Sequence, residues 1–219
     1  MRQEIVPVTA NVEVARDVHV LRFAAPALAA SARPGQFVHL RVTQETDPLL
    51  RRPLSILRIV RDAAGQPAQF EVLLDVVGRG TKLLSQVRPG DQIDALGPLG
   101  QPFTVEPKTR RALLIGGGVG IAPLIFLAED LLARGMEVVL LCGFRTAAKA
   151  YPAALVPAEV EYVVTTNDGS LGHQGLVTEL VDAYRPWADQ IFACGPVPML
   201  QALHLQRHLP VQICMEEHM

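Results

Sequence analysis

The sequence predicts two domains: an antiparallel β-barrel or sandwich over residues 1–108, followed by a Rossmann-like α/β parallel sheet over residues 109–219. Three observations predict it. The first hundred or so residues are short apolar runs of strand length separated by Pro/Gly punctuation. At Glu106-Pro107-Lys108-Thr109-Arg110-Arg111 the chain turns polar and its period changes. Beyond that point strand, Gly-rich turn, helix and strand follow within about 30 residues, the signature of a βαβ unit and a parallel sheet.

In the first domain, Gln36-Phe37-Val38-His39-Leu40-Arg41-Val42 and Gln69-Phe70-Glu71-Val72-Leu73-Leu74 alternate or run apolar, as half-buried strands do. Turn residues at Arg33-Pro34-Gly35, Asp47-Pro48, Ala64-Gly65, Arg88-Pro89-Gly90 and Gly97-Pro98-Leu99-Gly100 punctuate them. In the second domain the apolar run Ala112 to Ile115 predicts a strand, Pro123 to Arg134 a helix stopped by Gly135, and Glu137 to Leu141 the next strand. A strand over Val160 to Thr165, a helix near Leu176 to Ala183, a strand over Gln190 to Ala193 and a helix near Val197 to His208 repeat the theme.

Composition excludes several classes. At 49% hydrophobic residues and a mean hydropathy of +0.24, the chain has ample apolar surface to bury and is not a disordered polymer. A net charge of −2 and a pI near 6.3 supply no basic field for nucleic acid or an anionic membrane. The charge is uneven: 14 Lys+Arg against 11 Asp+Glu through Arg110, then 6 against 11, so the first domain is the better host for an anion. Cys142, Cys194 and Cys214 form neither a disulfide framework nor a closed metal set, which makes a reducing, cytoplasmic setting the expectation. Met1-Arg2-Gln3-Glu4 opens no apolar signal segment, and the longest apolar stretch, Ala112 to Ala128, is shorter than the roughly 20 residues of a membrane span.

The strongest local motif is Gly116-Gly117-Gly118-Val119-Gly120-Ile121-Ala122-Pro123. Glycines between strand and helix let the backbone approach a phosphate, and the helix N-terminus offers free N–H groups to it. A tight turn without a ligand explains the same residues. Arg51-Arg52-Pro53-Leu54-Ser55 offers guanidinium groups and a hydroxyl, or simply solvated arginines. Gly78-Arg79-Gly80-Thr81-Lys82 reads as a backbone nest for a phosphate or as the turn before a helix. Cys194-Gly195-Pro196 and Thr165-Thr166-Asn167-Asp168-Gly169-Ser170 end strands where open α/β sheets bind ligands.

In order, these motifs, with Leu96 to Gly100 and the run Cys194 to Leu200, resemble the ferredoxin–NADP reductase superfamily over essentially the whole chain. Within it they are similar to the electron-transfer subunits of NAD-linked dihydroorotate dehydrogenases of pyrimidine biosynthesis. The resemblance implies FAD on the barrel: Arg52 at the pyrophosphate, Pro53 and Leu54 flanking the flavin, Ser55 at its N5 edge, Leu74, Asp75 and Val76 beside it, and Gly80 and Thr81 at the second phosphate. It implies NAD(H), with NADP(H) open, on the second domain. There Gly117, Gly118 and Gly120 cradle the pyrophosphate, Asp168 lies near the nicotinamide-side ribose, and Cys194, Gly195, Pro196 and Met199 lie at the nicotinamide end. Ser55 and Cys194 are the residues implied beside the reacting atoms, in hydride transfer between nicotinamide C4 and flavin N5.

The resemblance further implies a catalytic dihydroorotate dehydrogenase subunit as partner and a [2Fe–2S] centre. The four cysteines that hold that centre in relatives are absent; Val211 to Met219 resembles the segment just before them. A truncated chain or a cluster-free reductase are both expected possibilities. A stand-alone NAD(P)H-dependent flavin or ferredoxin reductase is the alternative activity, and a non-catalytic nucleotide sensor the alternative outside enzymes.

Overall fold

The computed structural model describes residues 1–43, 48–204 and 209–214. The turn expected at Asp47, the helix end expected at His208 and the segment Met215–Met219 lie outside the described residues. Contacts divide the chain into one compact unit spanning Met1–Pro102 and a second beginning at Phe103.

In the first unit the antiparallel sheet closes on itself. Its strands are β1 (Arg2–Ala15), β2 (Val18–Ala24), β3 (Phe37–Leu40), β4 (Arg52–Arg61), β5 (Pro67–Asp75) and β6 (Gln92–Leu99), bonded in the order β1-β2-β5-β4-β3-β6 with β1 pairing back to β6. Bulges in the β1/β2, β3/β6 and β4/β5 pairings supply the bending that closure needs. Alternate residues fill the interior: Leu21, Phe23, Val38, Leu40, Ile56, Phe70 and Val72 are all fully buried, and the Phe23 and Phe70 rings stack with centroids 5.1 Å apart. Helix α1 (Pro26–Ser31) lays Leu28 and Ala29 against β5, and α2 (Arg79–Leu84) connects β5 to β6. A buried carboxylate in the wall, Glu71, is neutralised by Arg22 at 2.6 Å from β2 and Arg58 at 4.0 Å from β4.

The second unit is a six-stranded parallel sheet in the order β10-β9-β8-β7-β11-β12. Its strands are β7 (Arg111–Gly117), β8 (Glu137–Phe144), β9 (Glu161–Thr166), β10 (His173–Gln174), β11 (Gln190–Cys194) and β12 (Val211–Cys214). The central strands are continuous apolar runs because both faces are covered. Helix α3 (Ile121–Ala133) packs on β7, β8 and β11. Leu113, Ile115, Val139, Leu141 and Ala193 face the other way, with Val181 of α4 (Val181–Tyr184) and Leu200 and Leu203 of α5 (Val197–His204). The helix expected near Leu176–Ala183 is broken into a 3-10 turn at Val177–Glu179 and the single-turn α4. From β7 the chain winds outward through β8, β9 and β10, then returns to β7's other side as β11 and β12. The order therefore reverses between β7 and β11, and ligands bind at the carboxyl ends of strands at such a switch point.

The segment after Phe103 is pinned to this unit by one buried side chain. Gln190 accepts from Glu106 N–H at 2.9 Å and Thr109 Oγ1 at 2.8 Å, and donates to the Thr104 carbonyl at 2.9 Å. Asp189 beside it accepts from the Arg110 and Arg111 N–H groups and pairs with the Arg111 guanidinium at 3.0 Å. A contrasting case is Thr165, fully buried, whose hydroxyl has no hydrogen-bond partner among the described residues. Thr165→Val removes a desolvated hydroxyl at nearly constant shape. We expect unchanged or higher stability, by up to about 1 kcal/mol, in thermal unfolding.

Candidate functional site

On the barrel, antiparallel pairing sets Phe37 opposite Ser55, Val38 opposite Leu54, His39 opposite Pro53 and Leu40 opposite Arg52. The two adjacent arginines at the head of β4 then do different work. Arg51 Nη2 reaches Asp94 Oδ2 at 2.6 Å and its Nη1 donates to the Asp94 carbonyl at 3.0 Å, while Gln3 Nε2 donates to the same carboxylate. Burial alone would push the Asp94 carboxyl up; hydrogen bonds from Arg51 and Gln3, with the Arg51 and Arg41 charges, overcome it and hold the group below its ordinary value. Arg51 is thus a wall fastener.

Arg52 pairs with no carboxylate among the described residues. Its Nη1 donates to the carbonyls of Leu50 (2.9 Å) and Arg51 (3.3 Å), and the guanidinium lies flat over Gly80, where a Cβ would stand 2.6 Å from Nε. Gly80 lies in the first turn of α2, whose first N–H groups have no helical acceptor. A guanidinium beside the first turn of a helix offers positive charge and N–H donors to a phosphate, and this pair fits the FAD pyrophosphate. The Thr81 hydroxyl is not part of it: it accepts from Val77 and Gly78 N–H at 3.0 and 3.1 Å and donates to the Gly78 carbonyl, so only its backbone remains to bind a ligand. Pro53, Leu54, Asp75 and Val76 are half-buried, Ser55 is nearly buried, and the Leu74 side chain is wholly in the barrel interior, which leaves its backbone as what it can present.

No motif flags His39, yet it faces Pro53 and its ring lies 5.4 Å from that of Phe37. Burial and the Arg51 charge hold its imidazole below the ordinary 6.5. The folded state therefore binds this proton more weakly than the unfolded state, so the stability it confers is complete above pH 6.5 and lost as pH falls through the lowered value. Asp94, also lowered, adds acid sensitivity of the same sign below 3.8. We expect the melting temperature to decline on mild acidification, with His39→Gln flattening that decline.

In the second unit the glycine turn and the β11–α5 loop touch. A Cβ on Gly120 would stand 2.3 Å from the Cys194 carbonyl oxygen; one on Gly117 would meet Pro196 Cδ at 2.7 Å and Met199 Sδ at 2.9 Å; one on Gly195 would meet Met199 Cε at 2.7 Å. These glycines are required by loop-to-loop contact whether or not a ligand binds. Gly118 differs: its φ of +56° requires glycine, and a Cβ there would meet nothing within 4 Å. No side chain caps this turn or α3, and the first turn of α3 carries no acidic residue, so the positive helix end is left unneutralised beside open space. That arrangement fits a dinucleotide pyrophosphate. Cys194 itself is fully buried.

Asp168 is exposed at the end of β9. Hydrogen bonds from the Ser170 hydroxyl (2.6 Å) and N–H (3.0 Å) hold its carboxyl below the ordinary range. Ser170 Oγ also accepts from Ala147 N–H at 2.7 Å, tying this loop to the one after β8, where Arg145 is exposed. An iron–sulfur centre finds no such fit. The three cysteines lie on strands, and no group of three or more Cys, His, Asp or Glu among the described residues is placed to hold a metal. No described helix is long and apolar enough to cross a membrane.

Residues 5–103 match the oxidoreductase FAD-binding domain family. The chain is 41% identical over 209 residues to the dihydroorotate dehydrogenase B (NAD(+)) electron transfer subunit of Geobacillus thermodenitrificans, covering 94% of this chain and 80% of that protein. It is 44% identical over 190 residues to the subunit of the same name from Geobacillus kaustophilus, covering 85% and 72%. Among solved structures, one from work on flavin-based electron bifurcation by the NADH-dependent reduced ferredoxin–NADP oxidoreductase superposes with a TM-score of 0.83 at 29% identity, over 99% of this chain and 78% of that one. The cytochrome b5 reductase domain of Ulva prolifera nitrate reductase, at 17% identity and a TM-score of 0.75 over 98% and 97%, shares the fold. The family match and these identities, on a barrel-plus-parallel-sheet architecture, show that the chain is an FAD-binding oxidoreductase and belongs to the family of dihydroorotate dehydrogenase B (NAD(+)) electron transfer subunits.

Proposed function

We propose that this chain holds FAD on its barrel and NAD(H) at the β7/β11 switch point, and serves as the electron-transfer subunit of an NAD-linked dihydroorotate dehydrogenase in pyrimidine biosynthesis. The observation that carries the reading is the Arg52 guanidinium laid across Gly80 while Arg51 is consumed by Asp94. When bound, FAD supplies hydride exchange at its N5 with nicotinamide C4. The chain's own residues bind and orient. Arg52 and the α2 backbone offset the pyrophosphate charge, and Pro53 and Leu54 give the flavin an apolar flank. Ser55 stands next along β4, for the N5 edge. Gly118 and the head of α3 receive the second dinucleotide's pyrophosphate, with Gly195, Pro196 and Met199 at its nicotinamide end. The names of the relatives support both the NAD linkage and a dihydroorotate-oxidising partner subunit. The three thiols suit a reducing cytoplasm.

Sheet order supports a role for Asp168 other than the one the resemblance implies. It follows β9, three strand spacings from β11, about 14 Å from the Cys194 end. With the pyrophosphate at β7 between them, Asp168 belongs with the adenosine ribose, not the nicotinamide ribose. Its ionised carboxylate accepts hydrogen bonds from ribose hydroxyls and repels a 2′-phosphate, so NADH is preferred to NADPH. We expect Asp168→Asn to lower the NADH/NADPH ratio of flavin-reduction efficiencies by about tenfold, equivalent to about 1.4 kcal/mol.

The alternative reading is a stand-alone NAD(P)H-dependent reductase, which would use the same two dinucleotide sites. Steady-state assays separate the two. Dihydroorotate-dependent NADH formation only on adding a catalytic subunit supports the first; full turnover with free acceptors and no gain from that subunit overturns it.

A further inference from the structure

The three cysteines lie in one cross-strand row at the carboxyl end of the parallel sheet. Cys142 on β8 pairs with Gly116 on β7, Gly116 with Cys194 on β11, and Cys194 with Cys214 on β12. Register partners on neighbouring strands present their side chains to the same face of a sheet. Adjacent strands are about 4.8 Å apart, inside the Cα separation of about 4.4–6.8 Å that disulfides span. Cys142 is two strands from Cys194, about 10 Å, beyond the roughly 7 Å limit. Its sulfur is buried instead over Gly116, 2.7 Å from where a Cβ would stand, and burial pushes its thiol well above the ordinary range. Only Cys194 and Cys214 are in position to join.

The pair is also asymmetric in access. Cys214 is half-buried on the four-residue edge strand β12, whereas Cys194 is fully buried behind it on β11. A half-buried edge-strand thiol with a second thiol beside it is an arrangement in which a first oxidation is captured as a disulfide rather than proceeding to sulfinic acid.

We propose that Cys194 and Cys214 form a peroxide-sensitive dithiol. The Cys214 thiolate attacks hydrogen peroxide, the O–O bond breaks, and Cys214 becomes a sulfenic acid with release of one water after proton transfer. The Cys194 thiol then attacks the Cys214 sulfur, the S–O bond breaks, and a second water leaves. Two thiols are oxidised to one disulfide, and one peroxide is reduced to two waters. The bond bears on the nucleotide end of the sheet, because the Cys194 carbonyl is packed against Gly120 so closely that a Cβ there would stand 2.3 Å away. Drawing Cys194 toward β12 shifts that contact, and with it the glycine turn. This second consequence rests on the NAD(H) assignment; the disulfide does not.

The test treats the full chain with hydrogen peroxide without added FAD or NADH, alkylates the remaining thiols and maps peptides by mass spectrometry. The expected result is a reductant-reversible link between the Cys194 and Cys214 peptides with Cys142 alkylated, retained in Cys142→Ala and lost in Cys214→Ser. A link through Cys142, a link only between chains, or Cys214 sulfinic acid without a link overturns the proposal, as does the absence of reaction in folded protein. In a second arm the oxidised, FAD-loaded chain shows a several-fold higher KM for NADH with unchanged flavin content, and Cys214→Ser does not respond to peroxide. A confirmed link with unchanged KM overturns the coupling to the nucleotide site. A chain that binds no FAD or NADH overturns the functional reading while the peptide link still stands.

Discussion

Replacing Arg52 with alanine weakens FAD binding roughly 10- to 100-fold and leaves the barrel's melting temperature nearly unchanged. Among the described residues the side chain donates only to two neighbouring carbonyls and otherwise lies over Gly80, so its removal strands no buried charge there. What is lost is a set of charge-assisted hydrogen bonds to a phosphate, each worth about 1.5–3 kcal/mol. Arg51→Ala has the opposite profile. Asp94, whose side chain is 7% exposed, loses its guanidinium partner, and breaking a buried pair of this kind costs about 3–5 kcal/mol. Fluorescence titration with FAD and thermal unfolding of both variants measure the contrast. Equal losses of FAD affinity in the two would mean that the phosphate contact has been assigned to the wrong arginine.

Gly120→Ala carries the second large effect. Gly120 has an ordinary helical φ of −59°, so conformation does not require glycine. Space does: the new methyl would lie 2.3 Å from the Cys194 oxygen and 2.6 Å from its carbon, both backbone atoms. Relief requires β7–α3 and β11–α5 to separate, at an expected cost of about 2–4 kcal/mol in the second unit and loss of NADH-driven flavin reduction. Gly118→Ala isolates the other requirement. There the φ of +56° is strained by about 1–2 kcal/mol, but the methyl meets no atom and points into the space assigned to the pyrophosphate. Gly118→Ala is therefore the more stable of the two, and it too loses NADH binding. Unfolding monitored at Trp187, together with NADH titration and FAD content, resolves these outcomes.

The legible parts of this fold were those written in local pattern. Ala112 to Ile115 is apolar because both sheet faces are covered, and the glycines after it could only turn a strand into a helix. What required three dimensions was the choice between chemically identical neighbours. Residue type alone does not separate Arg51 from Arg52; the resemblance points to Arg52, and the physical reason appears only when β6 brings Asp94, 43 residues away, to Arg51. The motif Gly78 to Lys82 suits a backbone nest and a helix start equally; the structure shows the helix start, with the Thr81 hydroxyl bonded to the Val77 and Gly78 N–H groups and only backbone left for a phosphate. The Leu176–Ala183 segment has helical apolar spacing, yet the core accepts it as a 3-10 turn and a single helical turn that bury Val177 and Val181. The alignment of Cys194 with Cys214 exists only through the parallel pairing of β11 and β12, which no spacing along the chain announces.

Anaerobic titration of the FAD-reconstituted chain with NADH tests the central claim most directly. Wild type is expected to bind flavin stoichiometrically and to have its flavin band bleached by one NADH per flavin, with the first property lost in Arg52→Ala and the second in Gly118→Ala. Tight NADH binding by a chain that takes up no flavin, or a bound flavin that NADH leaves oxidised, would contradict it.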